Sequence, residues 1–86
     1  MAWTIEYDPL ALKDLKKVDR TIQREIFDYM DERAATAKDP RDLGKPLRDS
    51  KFGLWRYRVR DYRIICELRE NRLVVLVVTI GRRSTI

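Results

Sequence analysis

The chain of 86 residues has no histidine, one cysteine, three glycines and three prolines. Without histidine, the commonest general base and the commonest metal ligand are both missing. A lone Cys66 excludes an internal disulfide framework and any zinc site built from several thiolates. So few glycines and prolines leave no linker, and there is neither a repeat nor a low-complexity tract. Long apolar runs are lacking too. The longest, Leu73–Ile80, falls far short of the roughly 20 residues that a membrane span needs. The start, Met1-Ala2-Trp3-Thr4-Ile5-Glu6, has neither the basic region nor the apolar stretch of a signal peptide. A cytoplasmic location with no membrane partner is therefore expected, and the single unpaired cysteine agrees with it.

What the chain does have is charge: 38% of its residues are Asp, Glu, Lys or Arg, and the formal net charge is +5. Residues 1–50 carry 10 basic and 11 acidic side chains, whereas residues 51–86 carry 9 basic and 3 acidic. The surplus thus sits entirely in the later part, and eight of its nine basic residues are Arg. Arginine suits phosphate because its planar fork donates two parallel hydrogen bonds and keeps its charge.

At this length, one domain over residues 1–86 with a modest core is expected. Trp3, Ile5 and Tyr7 alternate and predict a short strand. Asp8 then reads as a helix N-cap, with Pro9 in the first turn. Leu12, Leu15 and Val18 give the first helix an apolar stripe. A second helix, capped by Asp19 or Thr21, has its buried face at Ile22, Ile26, Tyr29 and Met30 and fades near Ala37. Asp39–Gly53 reads as loop. Beyond it the period becomes two: Trp55, Tyr57 and Val59 on one face, Arg56, Arg58 and Arg60 on the other. Arg60-Asp61 is a candidate reversal into a strand over Tyr62–Leu68, and Glu70-Asn71 a second turn, with Asn71 tolerating positive φ. Leu73–Ile80, apolar on both faces, reads as a central, doubly covered strand. The outline is β-α-α-β-β-β: an α+β fold with an N-terminal strand, a helical hairpin and a three-stranded antiparallel meander in one sheet.

On this outline Arg56 and Arg58 share a face, the reversal brings Arg63 beside them, and Gly81 releases Arg82 and Arg83 at the strand's end. Four or five guanidiniums converging opposite the helices would be costly to assemble without an anion to neutralise them. Trp55 and Tyr57 face away from that patch and read as core rather than as base-stacking rings. Cys66, among Ile64, Ile65 and Leu68, reads as a buried apolar residue, with no histidine to activate it. Lys13, Lys16, Lys17, Arg20 and Arg24 line the helical hairpin, where acids balance them. They gain a role only if a very large polyanion touches two sides of the protein.

Lys45-Pro46-Leu47, the block Leu54-Trp55-Arg56-Tyr57-Arg58-Val59-Arg60-Asp61-Tyr62-Arg63-Ile64-Ile65, and the strand ending Gly81-Arg82-Arg83 together resemble the RelE/ParE superfamily of bacterial toxins. The resemblance covers nearly the whole chain and is nearest to the RelE type. It implies a toxin of a type II toxin–antitoxin system: a ribosome-dependent endoribonuclease that cuts mRNA in the A site and arrests translation. In such enzymes the substrate's own 2′-OH attacks the phosphate, leaving a 2′,3′-cyclic phosphate, with no metal or other cofactor. It also implies two partners, the 70S ribosome with its mRNA and a RelB-like antitoxin in a heterodimer or heterotetramer. By position, Arg56 and Arg58 match the family's basic pair, Arg63 the residue gripping the scissile phosphate, and Arg83 the residue neutralising charge that develops on it. The RNA- and ribosome-binding set taken with this reading is Lys13, Lys16, Lys17, Arg20, Lys51, Arg60 and Arg82.

Two departures bear on mechanism. The family's basic pair is often lysine, which can exchange a proton, whereas arginine cannot; Arg56 and Arg58 are therefore expected to stabilise charge rather than accept protons. Many members also carry a tyrosine beyond the Gly-x-Arg segment, and no tyrosine follows Arg83 here. A shortened chain, a different acid–base arrangement and impaired nuclease activity are the three expectations this raises. Two other functions fit the same residues: a ParE-like inhibitor of DNA gyrase, and a non-catalytic binder of RNA or the ribosome.

Overall fold

A computed structural model of the chain describes residues 2–48 and 53–82. Strand β1 (Thr4–Tyr7) turns Ile5 and Tyr7 inward and Thr4 and Glu6 outward. Asp8 caps helix α1 (Pro9–Leu15) by accepting a 2.9 Å hydrogen bond from the Leu10 N–H, with Pro9 supplying the fixed φ of a first turn. The buried stripe of α1 differs from the expected one. Ala11 and Leu15 are covered, four residues apart, and Val18 continues their line, while Leu12 is 43% exposed. Ala11 lets the helix sit close on the sheet, and Leu12, one residue on, is turned about 100° away from it.

Helix α2 (Arg20–Tyr29) is capped by Asp19, which accepts from the Thr21 N–H. Ile26 and Met30 are fully buried and Ile22 and Tyr29 packed against the core, as the spacing predicts. The chain then widens into one π-type turn (Met30–Ala34), in which the Ala35 N–H reaches the Met30 carbonyl. That widening buries both Met30 and Ala34. The Trp3 N–H donates to the Ala35 carbonyl at 2.7 Å, tying the helix end to the start of the chain.

The segment expected to be loop contains more structure. A 3-10 turn (Pro40–Leu43) is capped by Asp39, and the buried Tyr57 hydroxyl donates to the Pro40 carbonyl at 2.8 Å. Gly44 lies so close to the sheet that a Cβ there would stand 2.9 Å from the Arg56 carbonyl oxygen. A two-residue edge strand β2 (Lys45–Pro46) follows, pairing antiparallel with β3 (Leu54–Val59) in the register Lys45 to Arg56 and Pro46 to Trp55. Two residues are too few to show alternation, and Pro46 is tolerated at an edge.

Strand β4 (Tyr62–Arg69) returns after Arg60-Asp61, with Arg60 at φ 53°. The turn into β5 (Val74–Arg82) is a 3-10 turn over Glu70–Arg72, and its left-handed residue is Leu73 (φ 52°) rather than Asn71. The sheet order is β1-β5-β4-β3-β2, with β1 parallel to β5 and the other pairs antiparallel. The α+β fold and the order of its main elements are as expected.

Strand β5 departs from expectation twice. It continues through Gly81 to Arg82, and its two faces are covered unequally: Val75 and Val77 are fully buried in the common core, whereas on the other side Val74 is buried and Leu76 and Val78 stay half-exposed. A bulge opposite Ile65 and Cys66 leaves Val78 out of the ladder. Past Val77, where β1 ends, Asp14 of α1 takes over the edge: its Oδ2 accepts the Ile80 N–H at 3.0 Å and the Thr79 hydroxyl at 2.9 Å. No helix among the described residues is long and apolar enough to cross a membrane.

Candidate functional site

The face of the sheet turned away from the helices gathers cations by strand pairing alone. Arg58 stands directly opposite Arg63 across β3 and β4, Arg56 lies two residues along the same face of β3, and β2 sets Lys45 opposite Arg56. Side chains directly opposite in a sheet have Cβ atoms about 4.5–5.5 Å apart, and like charges so placed repel. Two shallow depressions open here. One of about 240 Å³ is lined by Leu43, Gly44, Lys45, Arg56 and Arg58; the other, about 480 Å³, by Lys45, Pro46, Leu47, Arg48, Arg56 and Arg63. Lys45 and Arg56 belong to both, so the two form one groove.

Other arginines are drawn off by carboxylates. Arg41 pairs with Asp39 and Glu70, Arg60 with Glu25, and Arg69 with Glu67. Lys45, Arg56 and Arg58 make no ion pair with the described residues, which leaves their charge available to a ligand. Such a set of donors, with no carboxylate among the described residues that line the groove, suits an anion with several oxygens. A phosphodiester is the obvious fit.

Two expected members do not join. Arg60 occupies the turn, not the strand face, and its Nε donates to both carboxylate oxygens of Glu25 on α2 at 2.9 Å. That hydrogen bond and ion pair raise its pKa above the ordinary guanidinium value. Arg82 lies opposite Tyr62, whose side chain is on the helix-facing side. Its Nε is 3.4 Å from the Tyr62 hydroxyl and its guanidinium carbon 5.7 Å from the ring centroid. Because Gly81 stays within the strand, alternation carries Arg82 to the face opposite Arg63. It lines a separate cleft of about 200 Å³ with Asp14, Lys17 and Tyr62. Arg83 and Lys51 lie outside the described residues.

On the helical hairpin, Lys13, Lys16, Lys17 and Arg20 are all exposed. Lys17 reaches the Arg82 cleft, while Arg20, Thr21 and Arg24 line another depression of about 270 Å³. Neither contains a residue of the groove on the open sheet face. Tyr57 and Val59 are core, as expected; Trp55 is half-buried, its ring 6.0 Å from the Arg41 guanidinium. Burial pushes the Cys66 thiol far above its ordinary value, consistent with an inert packing role.

Sequence reasoning missed Lys45 and Arg48, because only the pairing of β2 with β3 turns that segment into a wall of the groove. It also missed Asp14, an acidic residue on a short helix whose edge-sealing role depends on β5 outrunning β1.

No curated protein matches the chain by sequence. Among solved structures, the chain is similar to the toxin–antitoxin complex RelBE2 from Mycobacterium tuberculosis, with a TM-score of 0.86 at 21% identity over 98% of this chain and 94% of that one. It is likewise similar to the archaeal RelE–RelB complex from Pyrococcus horikoshii (TM-score 0.78, 19% identity, all of both chains). The intact RelBE complex of E. coli gives a TM-score of 0.73 at 20% identity over 94% of this chain and 96% of that one. These likenesses establish a shared fold. The family model described as ParE toxin of the type II toxin–antitoxin system, parDE, matches residues 5–86. Nearly the whole chain is covered, and it belongs to that toxin family, within the RelE/ParE superfamily.

Proposed function

We propose that the protein is a toxin that cleaves mRNA on the ribosome without a metal, using the RNA's 2′-OH as nucleophile. The observation that carries this reading is the convergence of Arg56, Arg58, Arg63 and Lys45 in one groove whose lining, among the described residues, contains no carboxylate. In it, Arg58 and Arg63 straddle the scissile phosphate and Arg56 neutralises the charge that grows on its oxygens during attack. Arg83 keeps the charge-neutralising role that its position in the family implies. The ribosome supplies the orientation of the RNA, which a shallow, open groove does not. Lys13, Lys16, Lys17, Arg20, Lys51, Arg60 and Arg82 are then contacts to the surrounding RNA rather than to the scissile bond.

A RelB-like antitoxin is the proposed inhibitory partner, since the solved relatives include RelB–RelE complexes. An acidic segment laid in the groove would neutralise the same arginines.

Mapping mRNA 5′ ends in translation extracts with and without ribosomes tests the reading. New ends at A-site codons, only when ribosomes are present, are expected, and their absence overturns it. The ParE family match favours a second reading, inhibition of DNA gyrase. It predicts trapped gyrase–DNA cleavage complexes and intact mRNA. A non-catalytic binder predicts ribosome association with neither kind of break.

A further inference from the structure

Among the described residues lining the groove, the charged side chains are Lys45, Arg48, Arg56, Arg58 and Arg63, and the rest are Leu43, Gly44, Pro46 and Leu47. Guanidinium groups hold their protons throughout the range in which proteins are folded, so four of these five cations do electrostatic work only. A lysine ammonium, by contrast, can give up a proton and take it back. The nearby tyrosines do not fill the role. Tyr57 is buried on the opposite face, its hydroxyl committed to the Pro40 carbonyl, and Tyr62 is held by Arg82 on the helix side.

From this geometry we infer that Lys45 is the proton donor to the leaving group of the cleavage reaction. The inference rests on the nuclease reading above and assigns that site an acid, a role that no other described residue lining the groove can fill. Lys45 is placed by backbone, not by chance: β2 sets it opposite Arg56, and Gly44 sits hard against β3, fixing the level at which β2 begins. It lines both halves of the groove, so a phosphate held between Arg56, Arg58 and Arg63 has Lys45 along its flank. In the step, the 2′-OH gives its proton to a water molecule as the O2′–P bond forms. The P–O5′ bond breaks, and the Lys45 ammonium passes a proton to O5′. The products are a 2′,3′-cyclic phosphate and a free 5′-OH, and the neutral amine recovers its proton from solvent.

The test uses programmed 70S ribosomes and single-turnover cleavage of a short mRNA, comparing the wild-type protein with Lys45→Arg and Lys45→Ala. Arginine keeps the charge and loses the exchangeable proton, so both variants should slow cleavage by about 10²–10⁴-fold. The same mRNA with sulfur replacing the bridging O5′ has a leaving group that needs no protonation. On it, the variants should come within about threefold of the wild type, and the alkaline fall in rate that a proton donor produces should be missing from their pH profiles. If Lys45→Arg cleaves the ordinary mRNA at the wild-type rate, or if the sulfur substrate fails to close the gap, Lys45 is not the acid. If the wild-type protein itself cleaves nothing, the nuclease reading falls first, an outcome distinct from either of these.

Discussion

Replacing Arg58 by Gln should make the protein more stable while weakening its hold on RNA. Arg58 faces Arg63 in register across β3 and β4 and shares its face with Arg56 two residues away. Their charges are thus about 5–7 Å apart, taking opposed Cβ atoms and the repeat along one strand as the guide. In water, two unit charges at that separation repel by roughly 0.6–0.8 kcal/mol, before screening by salt. Flexible side chains splay to reduce this, so removing Arg58 from two such neighbours should release about 1 kcal/mol at low ionic strength. At about 0.5 M salt the screening length shrinks to a few ångströms, and only a few tenths should remain. For a domain of this size, 1 kcal/mol corresponds to a rise of about 4–8 °C in Tm. Urea unfolding of both proteins at low and high salt measures the difference. A variant less stable than the wild type in low salt, or a gain that salt does not erode, would refute the idea that the groove is held under electrostatic strain. The functional half is read on the same samples: fewer phosphate contacts should flatten the salt dependence of RNA binding. Gain in stability with loss of binding is the signature of residues kept for a ligand rather than for the fold.

Asp14→Ala removes the acceptor of both the Ile80 N–H and the Thr79 hydroxyl. With about 1.5 kcal/mol for each bond to a carboxylate, set against the better helix propensity of Ala, the loss should be about 2 kcal/mol in urea unfolding, and Asp14→Asn should lose less than half as much. Gly44→Ala pushes a methyl group to 2.9 Å from the Arg56 carbonyl and 3.1 Å from the Tyr57 ring, so it should cost about 1–3 kcal/mol and lower RNA affinity as β2 shifts; a neutral outcome would show that β2 is not held by that contact. Cys66, fully buried with its thiol pKa raised, should resist a thiol reagent in the native protein and react at the rate of unfolding, which stopped-flow absorbance with the reagent in excess will show.

The fold was legible where pattern and local chemistry agree. Asp8-Pro9 and Asp19 announce their helices because capping is a local event, satisfied within two residues. The alternation in Leu54–Val59 announces a strand because one of its faces is buried. Illegible features depend on contacts distant in sequence. Leu12 and Ala11 exchange places in the buried stripe because the close approach of α1 to β5 selects the smaller side chain. Leu73 rather than Asn71 takes the left-handed conformation because the 3-10 turn ends one residue before β5. The course of Arg82 turns on the bulge at Val78 and on β5 running past Gly81, neither of which is encoded in the strand's own apolar pattern.

The same logic separates the arginines. Eight arginines after residue 50 look alike in sequence, and pairing in space sorts six of them. Arg60 and Arg69 are neutralised by Glu25 and Glu67, and Arg82 is turned onto Tyr62. Arg56 and Arg58 make no ion pair with the described residues; they share the open sheet face with Arg63 and are joined by Lys45 from a strand two residues long. An anion-binding groove needs more than an excess of positive charge; it needs cations kept apart from the carboxylates that would otherwise quench them. Here the separation follows from the hairpin: every Asp and Glu among the described residues lines neither part of the groove, while β3 and β4 place three arginines on one side of it. A surface that only repelled nucleic acid's competitors or only kept the protein soluble would not require this sorting. The proposed role, holding phosphate, does.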